Sequence, residues 1–283
     1  MSTSPIGIFD SGVGGLTIMR EIMRQLPQES LIYLADTKRL PYGNQDADTI
    51  IRYSLECGQF LHQLKVKILV VACNTATAYA LPFLEKKLQI PVIGVIESTA
   101  KKAASITSNC RIAILATQAT INSKAYEKSI LSLLPQATLI SLACPLFVPL
   151  VEEGFFTHPV TQLIVQEYLK NLHTQQIDTL LLGCTHYPFL KPIIQKEIGT
   201  HVSLIDSTVS CTEHLNAILN KNNLGVPIDH SPTHCFYVSG DPIKFKQIGE
   251  RFLKADMSHI QNMSFYSNSI KLQVLKHPLH VKT

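Results

Sequence analysis

The chain has 283 residues, 46% of them hydrophobic and 16% charged, with a formal net charge of +4. Roughly 100–200 residues per domain makes two lobes the natural expectation for this length. There is no basic stripe with interleaved aromatics, no apolar run near the ~20 residues of a membrane span and no secretory signal at the start, so a cytoplasmic protein without nucleic-acid or membrane partners is expected.

In chain order, short Ile-, Val- and Leu-rich runs alternate with longer amphipathic segments. That is the pattern of parallel strands buried on both faces and joined by helices. Four strands are predicted over 6–9, 31–35, 68–72 and 92–96, with helices over 47–64 and 76–88 and a linking helix over about 98–106. Four more are predicted over 111–115, 137–143, 179–183 and 202–205, with helices over 123–134 and 159–172. A helix over 209–220, an apolar stretch over 235–238 and a helix ending near 253 follow. The expected fold is α/β, with two similar doubly wound lobes, mainly parallel sheets and the active site in the cleft between them. The first lobe would hold 1–97 plus 207–255 and the second 98–206. The tail over 256–283 has no assigned role, although 269–275 alternates like an appended strand.

The two quartets rhyme. Each third strand ends in a small residue followed by Cys, with Thr one or two positions on: Ala72-Cys73-Asn74-Thr75 and Gly183-Cys184-Thr185-His186. In open α/β sheets ligands bind beyond the carboxyl ends of the strands, where helix N-termini present free N–H groups. The first polar residues after the strands are therefore the candidates, among them Asp10, Ser11, Asp36, Cys73, Asn74, Thr75, Glu97, Thr117, Cys144, Cys184, Thr185, His186, Asp206 and Ser207.

Asp10 to Gly15 forms a glycine-rich turn able to cradle an anion through backbone N–H groups. It fits neither a dinucleotide loop nor a P-loop, and a plain tight turn is the alternative. The seven cysteines are odd in number, irregularly spaced and free of CxxC pairs, which argues against a disulfide framework or a structural zinc site. Most are read as small buried residues. Cys73 and Cys184 stand apart because both would sit at a helix N-terminus, which favours the thiolate; a nearby carboxylate, Asp10 or Glu152, would oppose that. Zinc ligation by Cys73, Cys184 and His186 is an alternative, as is a Cys–His nucleophile and base, which leaves the second thiol without a task.

The motifs DSGVGGLT (10–17), PYG (41–43), ACNTAT (72–77), CPLFVPLVEEG (144–154), GCTHYP (183–188) and FYVSGDP (236–242) go beyond pattern. Together they resemble the glutamate racemases of the aspartate/glutamate racemase superfamily, over about 6–253. The resemblance implies that Cys73 and Cys184 are catalytic thiols on opposite faces of a substrate Cα. It implies support of Cys73 by Asp10 and of Cys184 by Glu152 and His186. Ser11, Tyr42, Gly43, Asn74, Thr75, Thr117, Thr120 and Thr185 would hold the substrate's ammonium and carboxylates. No cofactor or metal is implied. The product would be D-glutamate for bacterial peptidoglycan, and a homodimer is the default assembly. Racemisation of aspartate or another amino acid, and non-catalytic amino-acid binding on the same scaffold, are the alternatives.

Overall fold

The computed structural model describes residues 1–266 and 269–272. Its first four strands are β1 (Ile6–Asp10), β2 (Leu31–Ala35), β3 (Ile68–Val71) and β4 (Val92–Gly94); the next four are β5 (Arg111–Ala116), β6 (Thr138–Ala143), β7 (Thr179–Gly183) and β8 (Ser203–Asp206). Then come β9 (His234–Val238), β10 (Ile260–Tyr266) and β11 (Ser269–Leu272). One sheet runs β11-β10-β9-β2-β1-β3-β4 and the other β6-β5-β7-β8. All described pairings are parallel except β10 with β11. Each quartet thus has the order second, first, third, fourth, and the sequence rhyme is a topological one. The expected α/β class with two doubly wound lobes is what the strands form.

The physical basis is direct. Ile6, Ile8 and Phe9 on β1 and Leu180 to Leu182 on β7 are fully buried, as central strands covered by helices on both faces require. Each such side chain contributes about 1.5–3 kcal/mol by leaving water. The edge strand β6 is only partly covered. A core cluster joins Val13, Leu16 and Tyr33 to Leu115, Cys184 and Tyr187, so apolar packing is continuous between the lobes.

Several boundaries differ from the periodicity. β4 stops at Gly94, and the linking helix starts at Ile96 rather than near 98. The helix expected over 123–134 runs over Ala125–Leu133, and a separate helix, Gln118–Ser123, precedes it across Lys124, which has a φ of 55°. The helix expected to begin at 209 begins at Ser207, where Asp206 caps it by accepting from Thr208 N at 2.7 Å. Short helices Phe147–Glu152 and Lys191–Ile198 were hidden by prolines at 149 and 192. Of the tail, β10 extends the first sheet beside β9 and β11 folds back on it, while 273–275 of the expected strand lie outside the described residues.

Candidate active site

The carboxyl ends of β1, β3, β5 and β7 bring most of the candidate residues together. Cys73 caps the helix Asn74–Lys87, its Sγ accepting from Ala76 N at 3.5 Å. The thiol donates to Ser11 Oγ at 3.7 Å, and Ser11 donates to Asp10 Oδ1 at 3.2 Å. The other Asp10 oxygen accepts from Thr185 Oγ1 of the second lobe at 2.8 Å. One buried carboxylate therefore connects the Cys73 side to the residue following Cys184. On that side Cys184 Sγ lies 3.8 Å from His186 Nδ1, and His186 Nε2 lies 2.6 Å from Glu152 Oε1. Both ring nitrogens of His186 therefore have partners. Among the described residues, no group of three or more His, Cys, Asp or Glu is placed to hold a metal ion.

Charge is distributed unequally. Burial pushes the Cys73 thiol up to about 12 and the Asp10 charge adds to this, while the Ala76 N–H and Ser11 pull the other way. Desolvation overrides the helix N-terminus, contrary to the expectation that such a position lowers the thiol. Burial also raises the Asp10 carboxyl, against the His186 charge and the bonds from Thr185, Gly12 and Ser11. For His186 burial opposes the charged ring, but Cys184 and Glu152 on either side outweigh it and raise the imidazole well above its ordinary value. Glu152 is raised by burial, yet the His186 bond and charge, with the Val13 N–H and Lys244, bring it below the usual range.

A second group of donors lies beside the thiols. The hydroxyls of Thr75, Thr117 and Thr120 form a triangle with sides of 2.9 to 3.0 Å across the two lobes. Asn74 accepts from Tyr126 at its Oδ1, and its buried Nδ2 has no partner. Gly43 fits closely here, since a Cβ would come within 2.5 Å of Thr117 Cβ. Tyr42 is placed differently: its hydroxyl donates to Asp36 Oδ2 at 2.6 Å and its ring is buried near Phe9 and Tyr53.

The glycine turn is closely packed. Gly12 N donates inward to Asp10 Oδ1 at 3.1 Å. A Cβ on Gly12 would come within 2.8 Å of Glu152 Oε1, and one on Gly14 within 2.7 Å of His186 Nδ1. The glycines let the second lobe's acid–base residues sit directly on the turn.

Other candidates lie elsewhere. Glu97 is exposed. Asp206 pairs with Lys191. Cys144 is buried with its Sγ near Leu142 O. Asp36 was noted only for its position after a strand, yet it is a buried hub, bonded to Ser239 Oγ, Arg39 Nε and Tyr42. Arg39 is itself held over the rings of Tyr53 and Phe265 at 4.0 and 4.1 Å. Tyr126 gave no sequence signal at all, because its partner is 52 residues away.

The sequence profile of the family described as Asp/Glu/Hydantoin racemase matches residues 6–215. A glutamate racemase of Geobacter metallireducens is 45% identical over 264 residues, covering 93% of this chain and 98% of that protein. The crystal structure of a glutamate racemase isoform from Bacillus anthracis superposes with a TM-score of 0.89 at 38% identity, over 93% of this chain and 98% of that one. The Francisella tularensis glutamate racemase, solved in complex with D-glutamate, gives 0.88 at 38% identity over the same shares.

Proposed function

The chain belongs to the Asp/Glu/Hydantoin racemase family, and on that premise we propose that it interconverts L- and D-glutamate by passing the Cα proton between Cys73 and Cys184. The observation that carries this reading is the pair of thiols at equivalent strand ends of two equally ordered sheets, tied together through Asp10 and Thr185. Glutamate, rather than a shorter acid, is supported by the relatives' extended identity and by the D-glutamate complex of the Francisella protein.

The chemistry follows from the arrangement. Inverting Cα requires removing its proton on one face and delivering another on the opposite face. With L-glutamate, the Cys184 thiolate takes the proton, and the C–H electron pair moves toward the α-carboxylate. The Cys73 thiol, held protonated by burial, then gives its proton to the other face. The forward step leaves Cys73 as the thiolate and Cys184 as the thiol, and the reverse reaction begins from that state, with the Cys73 thiolate taking the proton. In this reading, charge developing on the carboxylate is met by fixed donors, namely Asn74 Nδ2, the threonine hydroxyls and helix N-termini. The His186 cation sits beside Cys184 and balances thiolate charge there, with Glu152 behind it.

In this reading the lobes over 1–97 with 207–255 and over 98–206 part to admit substrate and close to exclude water. The product would supply peptidoglycan assembly in the cytoplasm, from an enzyme acting as a homodimer. The test is substitution: Cys73→Ser and Cys184→Ser should each lower racemisation at least about 10²–10⁴-fold, the usual loss for a general acid or base, with unchanged circular dichroism. Near wild-type turnover in either variant would overturn the two-thiol mechanism.

A further inference from the structure

Asn74 presents an open question of hydrogen bonding. The residue is 2% exposed, next to Cys73, and its Nδ2 has no partner among the described residues. A buried amide donor without a partner costs about 1–3 kcal/mol, and so is retained where a ligand completes it. An amide is planar, with its oxygen and nitrogen on opposite arms, so whatever binds the oxygen determines where the nitrogen points. Here that group is the Tyr126 hydroxyl, 2.6 Å from Oδ1.

Tyr126 is 1% exposed and lies on the helix Ala125–Leu133 of the second lobe, whereas Asn74 follows β3 in the first sheet. Burial raises the phenol well beyond its ordinary value, so it remains a donor. Its ring is packed against the end of β7, where a Cβ on Gly183 would come within 2.9 Å of Tyr126 Cε2. Gly183 immediately precedes Cys184. One side chain thus rests on the strand end that carries one thiol and orients the amide beside the other.

We propose that Tyr126 is a positioning residue for the racemase reaction: its hydroxyl locks the Asn74 amide so that Nδ2 faces the substrate carboxylate, and does so only when the lobes are together. The proposal rests on the racemase reading above for the identity of the anion. Tyr126 itself touches no substrate. Because the bond crosses between lobes, the open protein has a free-turning Asn74, and the closed protein has an oriented donor.

The test uses the full-length enzyme. Tyr126→Phe keeps the ring and removes only the oxygen, so unfolding temperatures should stay close. KM for L-glutamate should rise about tenfold, equivalent to about 1.4 kcal/mol, and kcat should fall as well, because the same donor meets the carboxylate charge of the transition state. In an Asn74→Ala background the same change should raise KM no further. An equal KM effect in both backgrounds, or none in Tyr126→Phe alone, would overturn the proposal. Asn74→Asp is a second variant that keeps the acceptor for Tyr126 and replaces the cavity-facing donor; it should raise KM at least as much as Asn74→Ala, and a parental KM would count against the proposal. A third readout needs no substrate. The Asn74 side-chain ¹⁵N–¹H resonances, assigned by their loss in Asn74→Ala, should shift in Tyr126→Phe, and unmoved resonances would contradict the lock. Should the parent fail to turn over glutamate, the function reading fails, and these resonances still decide the role of Tyr126.

Discussion

At the scale of single residues, the site sets a thiol that burial raises against a thiol beside an imidazole that its neighbours raise. His186 is raised by its neighbours, chiefly Cys184 and Glu152, against burial. Replacing Glu152 by Gln removes one of them and lowers the imidazole toward its usual range near ~6.5. The protonated ring is then lost at lower pH, so the alkaline limb of kcat should move to lower pH. An unmoved limb would remove His186 from that role. Asp10 has the opposite interest. Its carboxyl is raised by burial, so the folded state gains stability from protonation at low pH and loses it as pH rises through that raised value. Asp10→Asn carries no such charge. Its unfolding temperature relative to the parent should therefore improve from pH 4 to pH 7 while racemisation falls. A relative loss of stability at pH 7 would contradict this reading of Asp10.

At the scale of elements, the turn Asp10–Gly15 is one place where the two lobes meet. Gly14→Ala would set a methyl against Thr185 and within 2.7 Å of His186 Nδ1. The prediction is a large loss of kcat/KM with circular dichroism and oligomeric state retained, and parental kinetics would show that close approach at this turn is unnecessary. This turn also shows how far the sequence could be read. Its glycines were visible, but their use was not: what needs the space is a pair of side chains from 185–186, distant in sequence. Strands were legible because Ile, Val and Leu runs buried on both faces have no other easy home. The break at Lys124 was not, because a lysine adopting a φ of 55° leaves no compositional mark. Cys73 and Cys184 were legible through the repeated strand ends. The pairing of Glu152 with His186 came only through resemblance, and the Asp36 and Tyr126 contacts depend on tertiary packing across the sheets.

For the whole molecule, the repeated strand order supplies two equivalent strand ends, each followed by a cysteine; in the proposed mechanism each serves one face of the substrate Cα. The enantiomers of glutamate have equal free energy in water, so kcat/KM must be the same in both directions at every pH. The unequal surroundings of the thiols can therefore appear only in kcat and KM taken separately. The central claim is that both thiols act on the Cα proton, and the most direct measurement follows that proton. L- or D-glutamate is incubated with the enzyme in D₂O without added cofactor, and optical rotation and Cα deuterium are recorded together. The account predicts that rotation decays to zero from either enantiomer and that the newly formed enantiomer carries deuterium at Cα. Racemised product that keeps its original hydrogen, or binding of glutamate with neither change, would contradict it.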